Sequence, residues 1–364
     1  MTIRYGLIGA GMMGQEHIRN IALLDGVAIT AIADPDDTMR DAARQLQGGI
    51  ARAFADWRDM LSADLCDAYV IASPNDAHYE TLQMLLRVEK PILCEKPLCT
   101  TLDHCREIAA LQATRRAPLL VGMEYRYMPP VQRLLDTVQA GTIGRPIMLS
   151  IREHRFPFLP KVGGWNRFAR RTGGTLVEKC CHFWDLMRLM LRSDPIRVYA
   201  SAGCDINHLD RIYEGESSDM TDNAFVILDF ANGTRGMLDL CMFAEGSRWQ
   251  EVITLTGPKG SVEARIPGPP RFFRGELPES EVALSDRASG IERVSTIPID
   301  PAILAAGDHH GATYYQHVRF ADLVRRGHGP AEVDASDGVW SVLVGAAAEE
   351  SARTGRAIEL VPLG

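Results

Sequence analysis

No stretch of the chain strings together the roughly 18 apolar residues that a membrane-spanning helix needs. Basic charge is not in excess either. The 364 residues carry 39 Lys and Arg against 47 Asp and Glu, a net charge of −8. Nucleic acid is therefore not an expected partner, because phosphate binding needs a basic face. The eight cysteines, at 66, 94, 99, 105, 180, 181, 204 and 241, form no CxxC pair. In a regular helix, adjacent Cys180 and Cys181 cannot both join His182 in a simple zinc site, so no metal site is expected. The cysteines read as buried free thiols of a reducing cytoplasm. Met1 to Tyr5 runs straight into a strand and leaves no room for a signal peptide. The chain has no internal repeat and no low-complexity segment.

The composition is that of a globular protein: 46% hydrophobic residues supply a sizeable core and 24% charged residues cover it. The length favours two domains. Arg4 to Ile8 reads as a buried strand running into Gly9-Ala10-Gly11-Met12-Met13-Gly14, with a helical pattern from about Gln15 to Leu24. Between a strand and a helix, this GxGxxG gains meaning. Gly9 permits the tight turn, Gly11 lets a pyrophosphate reach the backbone, and Gly14 lets helix and strand pack closely. The helix N-terminus then faces the phosphate charge. Val27 to Ala33 is the next strand, and Asp34 at its end is placed to bind ribose hydroxyls. A carboxylate there repels a 2′-phosphate, which favours NAD over NADP. Strands at Ala68–Ala72, Ile92–Cys94 and Leu119–Gly122 follow, and the loops leaving their carboxyl ends carry Ser73, Asn75, His78, Glu95 and Lys96. With Met12 and Met13, these residues complete the expected cofactor contacts.

The stretch from Gly173 to Asp185 holds the chemistry expected of the second half. Thr175 reads as a helix cap. Glu178, His182 and Asp185 fall at i, i+4 and i+7, so one regular helix would show all three on one face. A carboxylate one turn before a histidine can orient the imidazole and stabilise its charged form.

The early GxGxxG, the strand-ending Glu95-Lys96-Pro97 and the Gly-Gly…Glu178…His182…Asp185 segment together resemble the glucose–fructose oxidoreductase / inositol dehydrogenase / MocA (Gfo/Idh/MocA) family. Met123-Glu124-Tyr125-Arg126-Tyr127 and Gly141-Thr142-Ile143-Gly144-Arg145-Pro146 fit that family's transition into its second domain, so the resemblance covers nearly the whole chain. It implies an N-terminal Rossmann dinucleotide-binding domain (1–123) and a C-terminal α/β domain (124–364) with a large, mostly antiparallel open sheet for substrate binding and homo-oligomer contacts, as a dimer or tetramer. By motif, Lys96 matches the family's active-site lysine, often followed by a cis bond to proline. His182 matches the histidine base, and Glu178 stands where the family has aspartate. The longer glutamate reaches farther, so its partner is either His182 or the substrate.

Strands are expected at Ile147–Glu153, Ile196–Ala202, Asn223–Phe230, Thr234–Cys241, Glu251–Thr256 and Ser261–Arg265, with Asn232-Gly233 as a hairpin turn. Residues 267–300 read as an irregular excursion rich in Pro, Gly and charge. Helices are expected at Tyr314–Arg325 and Asp337–Ser351. The segment before the His182 helix holds Arg152, Arg155, Lys161, Arg167, Arg170 and Arg171 among Phe156, Phe158, Trp165 and Phe168. Sugar rings stack on tryptophan and arginine forks bind acidic groups, so Arg155, Lys161, Trp165, Asn166, Arg167 and Lys179 are substrate candidates, together with Tyr125 and His310. Asp185, His309 and Tyr314 are further pocket candidates.

Three activities fit these motifs. The first is NAD-dependent oxidation of a sugar or cyclitol hydroxyl, with an anionic sugar among the substrates considered. The second is an NAD-dependent redox glycosidase working by oxidation, elimination, hydration and reduction, for example on sulfosugar (sulfoquinovose-type) glycosides. The third, a silent NAD-binding protein, is disfavoured by the joint presence of Lys96 and His182.

Overall fold

The computed structural model describes residues 2–213, 215–269, 272–273 and 276–361. The chain divides into two compact units. One comprises Met1–Glu124, Lys161–Trp165 and Pro301–Val342, and the other Tyr125–Pro160, Asn166–Asp300 and Leu343–Gly364.

In the first unit, short apolar strands alternate with amphipathic helices: β1 (Ile3–Ile8), α1 (Met12–Ile21), β2 (Val27–Ala33), α2 (Asp37–Leu46), β3 (Arg52–Phe54), α3 (Trp57–Ser62), β4 (Ala68–Ile71), α4 (His78–Leu85), β5 (Ile92–Glu95), α5 (Leu102–Ala113) and β6 (Leu119–Gly122). Among the described residues these six strands form a parallel sheet in the order β3-β2-β1-β4-β5-β6. That is the doubly wound dinucleotide-binding order, with its reversal between β1 and β4. β4, β5 and β6 are buried along their whole length, as expected of strands with helices on both faces.

The helix Ala312–Arg326 belongs to this unit, although the sequence reading gave it to the second domain. The reason is apolar: Phe320 and His317 lie 5.4 and 6.2 Å from the fully buried Tyr5 ring on β1. Residues 335–342 join it as well, because Gly338 leaves room for Leu98. A Cβ at Gly338 would sit 2.9 Å from the leucine side chain.

The second unit is built on a mixed sheet: β7 (Met148–His154), β8 (Pro195–Gly203), β11 (Asn223–Phe230), β12 (Arg235–Cys241), β13 (Glu251–Gly257), β14 (Gly260–Ile266), β15 (Ser280–Asp286), β16 (Ile291–Ile297) and β17 (Ile358–Glu359). A separate two-stranded hairpin holds β9 (Ile212–Tyr213) and β10 (Glu216–Ser217). Among the described residues the order is β16-β15-β14-β13-β7-β12-β11-β8-β17, and β7–β12 is the parallel pair. Burial alternates along β11 and β12, so one face is core and the other open. The helices Pro129–Gln139 and Cys181–Leu191 pack against the sheet.

Residues 267–300 are less irregular than expected, because β15 and β16 pair across them. Alternation is lost on β16, whose apolar residues 291, 294 and 297 are spaced by three and are mostly exposed. Pro270, Arg271, Arg274 and Gly275, in the same stretch, lie outside the described residues. No helix among the described residues is long and apolar enough to cross a membrane.

Candidate active site

The glycine loop of the first unit is shaped by close backbone approach. Gly9 sits at φ +94°, and a Cβ there would lie 2.5 Å from the Ala72 carbonyl and the Ser73 nitrogen. A Cβ at Gly14 would lie 2.1 Å from the Gly9 carbonyl oxygen, whereas Gly11 faces open space. The first bond of α1 runs from the Gln15 N–H to the Gly11 carbonyl at 2.9 Å, so the N–H groups of Met12, Met13 and Gly14 precede the helical ladder. Asp34 closes the far side: its Oδ2 accepts from the Ala10 N–H at 2.7 Å and its Oδ1 from the Asp36 N–H at 2.9 Å. Arg40 donates to the Asp34 carbonyl at 2.6 Å.

The loop after β4 offers unsatisfied polar atoms. Ser73 Oγ and Asn75 Nδ2 are buried without a hydrogen-bond partner among the described residues. Buried polar groups are normally paired, so this loop fits a polar ligand. The open side of Gly11, the first-turn N–H groups, the Asp34 carboxylate and these two atoms suit the phosphates and hydroxyls of a dinucleotide.

His78 departs from the expected role of cofactor contact. Its ring is fully buried, with Nδ1 2.8 Å from the Pro97 carbonyl and Nε2 3.2 Å from the Ser73 carbonyl. Burial pulls its pKa down, and the ring brackets the two loops. The Lys96–Pro97 bond is cis, and Lys96 is half-buried. Glu95 lies beneath it: Oε2 accepts from the Lys96 N–H at 3.2 Å, and Oε1 pairs with His17 Nε2 at 3.2 Å. His17 in turn meets His317 at 2.9 Å. His309 bonds Glu16 at 2.7 Å and lies 3.4 Å from Glu124. His310 is buried at φ +49°. No group of His, Cys, Asp and Glu among the described residues is arranged to hold a metal ion.

In the second unit the Gly173-to-Asp185 stretch forms two helices, Thr175–Glu178 and Cys181–Leu191, where one was expected. The break falls at Lys179 and Cys180. Glu178 therefore closes one turn and His182 opens the next helix. Thr175 is not the cap, since its hydroxyl donates to the Thr221 carbonyl at 2.6 Å. Glu349 takes that part, accepting from the Leu176 N–H at 2.8 Å. It fits because Gly174, at φ +94°, has no Cβ; one would lie 2.3 Å from the Glu349 carboxylate. Glu178 and His182 are buried, and the imidazole stacks flat on Tyr125, with centroids 4.1 Å apart and planes at 11°. Asp185 does not line a pocket: it is fully buried, and Arg126 Nε and Nη2 each bond it at 2.5 Å.

Most of the cations proposed for substrate are already engaged. Lys179 is buried, 2.7 Å from Glu153, and donates to the Tyr125 hydroxyl at 2.6 Å. Arg155 lies 3.7 Å from Glu153 and over the Phe156 ring. Arg167 is buried and donates to the Phe158 carbonyl at 2.8 Å. Asn166 donates to the Leu159 carbonyl at 3.0 Å. In the first unit, the Lys161 ammonium sits 4.6 Å from the Trp165 ring centre, and Trp165 is buried. Sequence reasoning missed Arg126, Glu349, Glu153 and Glu251. A charged residue amid alternating apolar strand positions, as at 153 and 251, was the available signal.

The first unit is thus a Rossmann dinucleotide-binding domain and the second an α/β domain in which both Glu178 and His182 are buried, the organisation of a two-domain oxidoreductase. The sequence pattern of the oxidoreductase family's NAD-binding Rossmann fold matches residues 3–123, and that of its C-terminal alpha/beta domain matches residues 136–360. The chain belongs to the Gfo/Idh/MocA oxidoreductase family and binds NAD. It is similar to the myo-inositol 2-dehydrogenase of Thermotoga maritima, 26% identical over 98% of both chains. Its similarity to the 1,5-anhydro-D-fructose reductase of Ensifer adhaerens is the same, 26% over 98% of each. Its fold matches that of a levoglucosan dehydrogenase solved with NADH and levoglucosan, at TM-score 0.82 and 21% identity, covering 99% of this chain and 100% of that one.

The geometry at Asp34 gives a cofactor prediction. Asp34→Asn keeps an oxygen for the Ala10 N–H and removes the charge, leaving Arg40 nearby. The Kd ratio of NADPH to NADH, measured by fluorescence titration, is expected to fall about 10- to 100-fold, or about 1.4–2.8 kcal/mol. An unchanged ratio would assign selectivity to another residue.

Proposed function

We propose that this protein is an NAD-dependent dehydrogenase of an uncharged polyhydroxylated sugar or cyclitol. The observation that carries this reading is the buried His182, held flat against Tyr125 in the segment where the family's histidine base falls. Alcohol oxidation requires the hydroxyl proton to leave as hydride departs, and an imidazole titrating near neutrality suits that proton. In this proposal His182 takes the hydroxyl proton, and the Lys96 ammonium stabilises the charge that develops on the reacting oxygen. Glu178 holds the imidazole or a neighbouring substrate hydroxyl. Bound NAD supplies the hydride acceptor. The Rossmann unit is proposed to bind the nucleotide, and the unit built on the mixed sheet to bind substrate.

An uncharged substrate is favoured over an anionic one because Lys179, Arg155 and Arg167 already have partners within their own unit. Myo-inositol, 1,5-anhydrofructose and levoglucosan, named for the relatives, are uncharged compounds rich in oxygen. We also propose a homo-oligomer, dimer or tetramer, formed through the open sheet face. Ile227 there pairs with Tyr199 and Met237, and Phe225, Ile227, Tyr199 and Met237 are all exposed. The cysteines are free and mostly buried, which suits a reducing cytoplasm.

The test is a panel of myo-inositol, levoglucosan, free hexoses, a sulfonated hexose and aryl glycosides, assayed for NADH and for released aglycone. NADH formation with an uncharged polyol is the expected result. Aglycone release without net NADH would replace the dehydrogenase reading with the redox glycosidase, and turnover confined to the sulfonated sugar would restore the anionic substrate.

A further inference from the structure

Two carboxylates lie side by side inside the second unit. Glu153 on β7 is directly opposite Glu251 on β13, and both are buried. Buried carboxylates are costly unless paired, and a pair of like charge is costlier still. One ammonium serves them. Lys179, at the break between the two helices, places its Nζ 2.7 Å from Glu153 Oε1 and 2.6 Å from the Tyr125 hydroxyl. That hydroxyl donates to Glu251 Oε1 at 3.4 Å, and Gln250 Nε2 donates to the same oxygen at 2.6 Å. Neither Glu153 Oε2 nor Glu251 Oε2 has a hydrogen-bond partner among the described residues. The Tyr125 ring is the one stacked on His182.

We propose that Glu251 is a positioning residue for His182, a proton-holding carboxyl whose charge reaches the imidazole through Tyr125 and Lys179. This rests on His182 being the group that takes the substrate proton. The charged and titratable groups around Glu251 come from each neighbouring element: Glu153 on β7, Arg155 just beyond it, Lys179 at the helix break and Tyr125 from the 124–127 turn. Burial, then the charge of Glu153, pushes the Glu251 carboxyl up to about 7, while burial pulls the Lys179 ammonium down. Among the described residues, one carboxylate matches Lys179 and the second is matched by the more distant Arg155. An ionised Glu251 adds a negative charge that favours imidazolium at His182. A proton arriving on His182 favours ionised Glu251 in turn.

The test is the titration of His182 in the full-length protein, followed by NMR on ring-labelled histidine and assigned with His182→Gln. It needs no substrate. Glu251→Gln is expected to lower the His182 midpoint by about 0.5–1 pH unit. In a Tyr125→Phe background, which keeps the stack and removes the hydroxyl, the same substitution is expected to shift it by less than half as much. An unmoved midpoint overturns the proposal and leaves the role of His182 standing. A His182 that titrates with Glu251 yet is dispensable for turnover overturns the functional reading instead.

Stability supplies a second measurement. The folded protein holds the Glu251 proton more tightly than the unfolded chain, so this residue's contribution falls as pH rises from the ordinary carboxyl range through about 7. Glu251→Gln lacks that loss, and its Tm relative to the parent is expected to climb over the same span. A flat difference would mean that Glu251 does not titrate there.

Discussion

On the responsive polyol, Lys96→Met is expected to lower kcat by about 10²- to 10³-fold and His182→Gln by about 10²- to 10⁴-fold, each changing the Kd for NADH by no more than about twofold. A positioned acid or base contributes about 10²- to 10⁴-fold, and a donor to a developing oxyanion about 10²- to 10³-fold. NADH binding is expected to be spared because the proposed nucleotide contacts are the glycine loop, Asp34, Ser73 and Asn75, and both substitutions leave these in place. Isosteric replacements matter here. Lys96 is half-buried, and methionine keeps much of its length while removing the charge. His182 lies against Tyr125, and a glutamine keeps part of that contact. The double variant decides whether the two act together. If the ammonium and the imidazole serve one oxygen, losing both costs little more than the worse single loss. Additive losses would mean separate roles, and collapse of NADH binding in the Lys96 variant would make this lysine a cofactor residue.

The first unit was legible from its sequence because its signals are local. A GxGxxG between strand and helix, an acid at the end of the next strand and apolar runs punctuated by loops each specify their own element. The contact of the helix Ala312–Arg326 with Tyr5 was not legible, because Tyr5 is some three hundred residues earlier and nothing in the helix's own periodicity names that partner. The break at Lys179 was hidden for a related reason. Val-Glu-Lys-Cys-Cys-His has acceptable helix propensity throughout. Glu153 holds Lys179 across the chain, and an ion pair at that range leaves no mark on helical spacing.

The candidate site divides in the same way. Residue types were visible: Lys96 in its Glu-Lys-Pro turn, His182 with Glu178 before it. Their surroundings were not. A run of arginines and aromatics reads as a binding surface because composition records charge and omits pairing. In the fold, Glu153 faces Lys179 and Arg155, and Glu216 meets Arg170. The same blindness made His78 a cofactor contact, when two backbone carbonyls occupy its ring.

Asp185 turns that lesson into a stability prediction. It follows His182 on the same helix and, from sequence, is a further pocket candidate. Its carboxylate is fully buried and gripped by the Arg126 fork through two bonds of 2.5 Å. The pair ties the turn after β6 to the helix that carries His182. Removing one partner of such a pair strands the other as a buried charge, a loss of about 3–5 kcal/mol. Asp185→Asn and Arg126→Met are each expected to lower Tm by about 10 °C, using about 2–4 °C per kcal/mol for a domain of this size. The double variant Arg126→Met/Asp185→Leu removes both charges and should recover much of that loss, because an apolar pair of similar volume is often no less stable than the ion pair it replaces. Thermal melts of the four proteins make the comparison. If each single variant melts within about 2 °C of the parent, the pair is dispensable. A double variant that loses the sum of the singles would mean the two residues stabilise the fold independently, through contacts other than the one they share.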